Sequence, residues 1–112
     1  MVEYIHEERL SRLLKAVSDT TRRALLTQLC QQGATRVTDL ATHYQMSLNA
    51  ISKHIKVLEG AGLVKRTTFG RTHLIEADLS EVEQMSDWLG SLKSIWVASL
   101  DQLEQFLTGE EE

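Results

Sequence analysis

Apolar side chains recur along this chain with two periods, and the change of period divides it. Leu10, Leu13, Leu14 and Val17 stand three and four residues apart, the spacing of one helical face, which predicts a first helix over about residues 7–16. Ser18 and Asp19 are N-cap residues for a second helix, ahead of its apolar residues Ala24, Leu25, Leu29 and Cys30. Gly33 is placed to end that helix in a left-handed conformation. Thr35 is expected to cap a third helix of about two turns, with Val37, Leu40 and Ala41 inward and Tyr44 closing it. After a turn at Gln45 and Met46, Ser47 caps a fourth helix with Ile51, Ile55 and Leu58 on one side and Gly60 and Gly62 at its end.

Beyond Gly62 the pattern is that of strands. Residues 63–68 and 72–77 are rich in β-branched or apolar side chains and are joined through Phe69, Gly70 and Arg71, which predicts a two-stranded wing over 63–77. Ser80 and Glu83 then fit a capping box that opens a helix over 80–108, with no break before Gly90. Val82, Met85, Leu89, Leu92, Trp96, Leu100, Leu103 and Leu107 form its stripe, with Trp88 and Phe106 beside it. At about 1.5 Å per residue that helix is near 40 Å long, more than a body of this size covers alone, so a second copy is the expected cover. The chain contains no proline, and it shows neither a repeat nor a low-complexity linker. One continuous domain over 1–112 is therefore expected, mostly α with a small β-hairpin: a winged helix-turn-helix, with 37–60 the helix-turn-helix and 63–77 the wing.

Charge changes the picture because it is unevenly spread. The 112 residues carry a formal net charge of −4. Between Ser47 and Arg71, however, Lys53, Lys56, Lys65, Arg66 and Arg71 face one acid, Glu59. From Glu76 onward there are ten acids against the single base Lys93. Attraction of phosphate acts locally, within a Debye length of about 8 to 10 Å, so the basic middle and acidic end suit different partners.

In a helix-turn-helix the second helix enters the major groove and needs an apolar inner stripe with short polar or basic outer residues. The helix after Ser47 meets that need: opposite Ile51, Ile55 and Leu58 lie Asn49, Ser52, Lys53 and Lys56. Asn pairs with adenine, Ser with base edges or phosphate, Lys with guanine or phosphate. Ser47 and the first-turn amides can hold a phosphate at the positive end of the helix dipole. Arg71 at the wing tip is placed for a phosphate or the minor groove, with Lys65 and Arg66 as weaker phosphate contacts. His54 has two readings: it bonds phosphate, or it packs against the wing with one nitrogen satisfied by backbone. The function expected is sequence-specific double-stranded DNA binding. The alternative is a winged-helix protein-interaction module, since the acidic end with Trp88 and Trp96 can dock a partner.

Four stretches carry a family resemblance: Asp19-Thr20-Thr21-Arg22-Arg23, Val37-Thr38-Asp39-Leu40-Ala41, Ser47-Leu48-Asn49-Ala50-Ile51-Ser52-Lys53-His54-Ile55, and Leu58-Glu59-Gly60-Ala61-Gly62-Leu63-Val64. In this order the chain resembles the ArsR/SmtB family over roughly residues 13–79. The resemblance implies a dimeric bacterial repressor, bound to a near-palindromic operator and released by an inducer. The final helix, with Trp88, Trp96 and Leu100-Asp101-Gln102-Leu103, is similar to a metal-independent branch whose first and last helices form the dimer interface. Carried over, that interface comprises Leu10, Leu13, Leu14, Leu89, Leu92, Trp96, Leu100 and Leu103, and makes 80–108 the dimerisation helix.

The inducer is where the chain departs from its relatives. Members sensing thiophilic metals carry two cysteines in the helix before the recognition helix, where this chain has Arg36 and Thr38. Members sensing zinc use histidine on the terminal helix, yet no histidine follows His73. His6, His43, His54 and His73 show no close paired spacing, so neither a metal nor another cofactor is expected. Cys30 is the single cysteine and is expected to be a small buried hydrophobe. No apolar run is long enough to cross a membrane, and the acidic N-terminal stretch is unlike a signal peptide, so a cytoplasmic protein is expected. No phosphate loop, nucleophile motif or carboxylate pair argues for an enzyme.

Overall fold

The computed structural model describes residues 2–109, with side chains from Glu7 onward. His6 and the terminal acids Glu110, Glu111 and Glu112 lie outside the described side chains. The elements run α1 (Val2–Ala16), α2 (Thr20–Gln32), β1 (Thr35–Arg36), α3 (Val37–His43), α4 (Leu48–Gly60), β2 (Val64–Phe69), β3 (Thr72–Ala77) and α5 (Glu83–Thr108). They form two compact units, one reaching Val82 and one beginning at Glu83.

The core of the first unit is built from the predicted stripes. Leu25 and Leu29 of α2, Val37, Leu40 and Ala41 of α3, and Ile51, Ile55 and Leu58 of α4 are all buried, joined by Leu63, Val64 and Ile75 from the hairpin. Polar groups at the ends hold the helices in place. Asp19 caps α2 by accepting from the Arg22 amide at 3.0 Å, and Ser47 caps α4 by accepting from the Ala50 amide at 3.1 Å. Gly33 ends α2 with φ 82°, as its position predicted, though its ψ of −162° is extended rather than helical.

The wing pairs in register from Val64↔Ala77 to Phe69↔Thr72, leaving Gly70 and Arg71 as a two-residue turn. Gly70 has φ 59°, the positive value that a hairpin turn of the II′ kind requires at its first central residue.

Several expectations are corrected. Thr35 does not cap α3; Arg36 occupies that position without a side-chain capping bond, and the Thr35 hydroxyl donates instead to the Gly33 carbonyl at 3.0 Å. Thr35 and Arg36 form a strand paired antiparallel with Ile75 and Leu74, so the sheet has three strands in the order β1-β3-β2. Two residues are too few to show a period of two, which is why the pattern concealed this strand. Ser80 does not open α5 either. Its amide and hydroxyl both bond Asp78 Oδ1, at 3.1 and 2.8 Å, in a turn that precedes a helix starting at Glu83. Ser and Asp compete for local backbone partners, and here the nearer Asp78 prevails over the helix cap.

Assignments of burial also change. Cys30 is exposed, as is Ala24, so the inward face of α2 is narrower than the apolar pattern suggested. Leu13, carried over as an interface residue, is 1% exposed in the single chain. It shares the buried side of α1 with Ala16, and α1 packs on α4; Leu10 and Leu14 are half-buried.

The second unit is α5, 26 residues passing unbroken through Gly90 and about 39 Å long. It has no buried residue. Leu89, Leu92, Ile95, Trp96, Val97, Leu100, Leu103, Phe106 and Leu107 are all exposed.

Candidate nucleic-acid interface

The turn between α3 and α4 is tight because the backbone closes it. Tyr44 N–H donates to the Leu40 carbonyl at 3.0 Å, Gln45 N–H to Thr42 at 3.1 Å and Met46 N–H to Ala41 at 3.0 Å. Gln45 takes φ 53° there, a value few side-chain-bearing residues adopt. This turn aims α4 so that Ile51, Ile55 and Leu58 enter the core while Asn49, Lys53 and Lys56 face solvent and Ser52 is half-buried. The side chains of Asn49, Lys53 and Arg71 make no hydrogen bond or ion pair with other described residues. The Ser47 oxygen is used in capping, yet its O–H proton remains free to donate.

Other predicted contacts are held by neighbours. Arg66 donates to Glu59 of α4 from Nη2 at 2.8 Å and Nε at 3.1 Å. That guanidinium holds the Glu59 carboxyl below its usual range, with the hydrogen bonds the main cause and the opposite charge a lesser one. Lys65 Nζ lies 3.7 Å from Asp78 Oδ2, whose pKa is lowered chiefly by the Ser80 hydroxyl.

His54 does not have the backbone partner expected for it beside the wing. Its Nδ1 faces Arg22 Nη1 at 3.3 Å and Asp19 Oδ2 at 3.8 Å, both on the N-terminal end of α2. Arginine only donates, so Nδ1 accepts from Arg22 in the neutral ring and the proton sits on Nε2. No role was predicted for Arg22 beyond its place in a motif. It also donates to the Ala16 carbonyl from Nε at 2.8 Å and to the Lys15 carbonyl from Nη2 at 3.0 Å, closing the end of α1. One guanidinium thus joins α1, α2 and α4. Asp19 is held below the usual carboxylate range, first by the Arg22 amide and then by the positive charges of His54, when protonated, and Arg22.

A groove of about 320 Å³ runs between α3, α4 and the hairpin, with Thr38, Leu48, Ser52, Arg71, Thr72 and His73 on its walls. Arg36 and Arg66 also border it, each already paired, with Asp39 and Glu59 respectively. Leu48 and the wing-tip Phe69, 53% and 63% exposed, were absent from the predicted contacts. A large apolar residue among polar ones at a helix start or a turn was the available signal. Together these elements set hydroxyl, amide and cationic groups around a helix end, which suits a phosphate backbone and the base edges beside it.

Among the described residues no group of three or more His, Cys, Asp or Glu side chains could hold a metal ion. None of their helices is long and apolar enough to cross a membrane.

Comparison with known proteins gives the arrangement a family. The model of the bacterial regulatory protein arsR family matches residues 19–66, from the cap of α2 into β2. The arsenical resistance operon repressor of Bacillus subtilis (strain 168) is 32% identical over 68 residues, 61% of this chain and 65% of that protein. The match therefore spans slightly less than two thirds of that relative. A crystal structure of an ArsR family transcriptional regulator, RHA00566, superposes with a TM-score of 0.75 at 30% identity, covering 80% of this chain and 92% of the other. The homodimeric winged helix-turn-helix DNA-binding domain of Mb0332 from Mycobacterium bovis shares the fold, with a TM-score of 0.62 at 23% identity over 78% of this chain and 80% of its own. By sequence and by fold, this chain belongs to the arsR family of bacterial regulatory proteins.

Proposed function

We propose that this protein is a homodimeric repressor that binds a near-palindromic operator in double-stranded DNA, acts in the cytoplasm, and is released by a signal other than a metal. The observation that carries the reading is the outer face of α4. Asn49, Lys53 and Lys56 stand exposed opposite a fully buried stripe, with Ser52 between them and Arg71 at the tip of the neighbouring wing. The arsenical repressor and RHA00566 are regulators by name, which supports the same role, and we assign no catalysis. The exposed apolar residues of α5 support the dimer: a second copy of the helix is a cover of matching length and chemistry, and the Mb0332 domain is homodimeric. Against a thiophilic metal as signal stands the single cysteine of the sequence.

Selection from a pool of random duplexes by the purified protein tests the reading. An enriched, imperfectly symmetric site, bound at moderate salt at least about a thousandfold more tightly than random duplex, is the expected result. Half-sites about 34 Å apart, one helical turn, follow from a twofold dimer. No enrichment would leave the protein-interaction module as the better account.

A further inference from the structure

We infer that Leu48 reads a thymine in the operator through the C5 methyl group, a deepening that rests on the DNA-binding reading above. Leu48 is the first residue of α4, and it continues the Ile51, Ile55, Leu58 stripe one turn past the core. There the stripe leaves the interior: Ile51 is fully buried and Leu48 is 53% exposed. Its side chain opens onto the groove between α3, α4 and the wing, among Thr38, Ser52, Arg71 and Thr72.

The occupant follows from the chemistry of that wall. Two aliphatic residues line it, Val37, which is buried, and Leu48, which is exposed; hydroxyls and the unpaired Arg71 stand around them, so the matching surface is anionic and polar with an apolar point opposite Leu48. The N-terminal residues of a recognition helix meet base edges in the major groove, and the apolar point on those edges is the thymine methyl. Ser52, one turn further along the same side, and Arg71 across the groove can hold the flanking polar edge and phosphate. A small apolar ligand fits less well, since it would leave those polar groups without partners.

The test uses an operator selected by the full-length protein, with each thymine of a half-site replaced in turn by deoxyuridine, which removes the methyl and nothing else. At one position the wild type should lose about fourfold in affinity, the amount for one buried methyl-sized group. Leu48→Ala should bind both duplexes equally while keeping its salt dependence, and Leu48→Met, with its apolar reach intact, should still prefer thymine. Circular dichroism of the variants checks the fold. Indifference to the methyl at every thymine, or discrimination that survives in Leu48→Ala, overturns the assignment to Leu48 and leaves the operator standing. A protein that selects no operator removes both this inference and the reading beneath it.

Discussion

Arg66 on β2 grips Glu59 on α4 through two nitrogens of its guanidinium, at 2.8 and 3.1 Å. The pair spans the joint between the recognition helix and the wing, and it is only partly exposed, 25% for the Arg66 side chain and 30% for Glu59. Such a two-point contact fixes direction as well as distance, so the wing cannot swing on α4 without breaking it.

Glu59→Gln should lower stability near neutral pH by about 0.5 to 1 kcal/mol, the range for a well-formed but partly solvated ion pair. The folded pKa of Glu59 is depressed, so its contribution is full above the ordinary glutamate value of about 4.3 and disappears as pH falls through the lower folded value. Urea denaturation across that window should show wild type and variant converging in acid. A gap that stays constant would mean the charge is not its source. If Arg66 acts by positioning the wing, Glu59→Gln and Arg66→Ala should weaken DNA binding alike; a loss confined to Arg66→Ala with a shallower salt slope would make it a phosphate contact.

Lys53 carries no ion pair within the described chain, leaving its charge available to DNA. Lys53→Ala should reduce affinity for all sequences and lower the slope of log affinity on log salt by about 0.9 for each phosphate that the lysine neutralises. Asn49→Ala should instead change which bases are preferred at one position of each half-site, by about 1 to 3 kcal/mol. Binding titrations at three salt concentrations on two operators separate the two effects, and unchanged affinity in both variants would place the interface elsewhere.

Asp19 ties the cap of α2 to the recognition helix, accepting from the Arg22 amide and lying beside His54. Asp19→Ala should lower the melting temperature by several degrees through loss of the cap. Asp19→Asn, which keeps an acceptor oxygen, should lose less near neutral pH. The depressed pKa of Asp19 makes the carboxylate's contribution complete above the usual range of about 3.9 and lost as pH falls through the folded value. Thermal denaturation at pH 7 and pH 3 checks both the order of the variants and its collapse in acid.

Trp96 is 61% exposed in the single chain. Trp96→Ala should weaken self-association at least about tenfold, since a tryptophan at a subunit contact buries a large area. Sedimentation equilibrium measures it, and an unaltered dimer would locate the contact away from this face of α5.

Most of the architecture was legible because helical stripes are long. Ile51, Ile55 and Leu58 announce α4 and its inward side unaided, and Ser47 and Asp19 mark caps that the structure forms. What escaped is made by contacts between distant residues. Nothing near Thr35 says that Ile75 will pair with it, nor does the neighbourhood of His54 contain Asp19 or Arg22. The basic residues were easily found, but only the fold distinguishes Arg66, already engaged, from Arg71, which is not. Leu48 was hidden for a different reason: it lies in step with a core stripe, and only geometry reveals that the stripe outlasts the core.

The small strand β1 bears on how molecules of this protein meet. With the order β1-β3-β2, the central strand is enclosed, and the sheet's two edges are a segment of two residues and β2. The first is too short to template a new strand; the second bears the exposed Lys65, a charge of the kind that blunts an edge against addition. The exposed charge of Lys65 therefore works against neighbouring copies pairing along β2 into an extended ribbon.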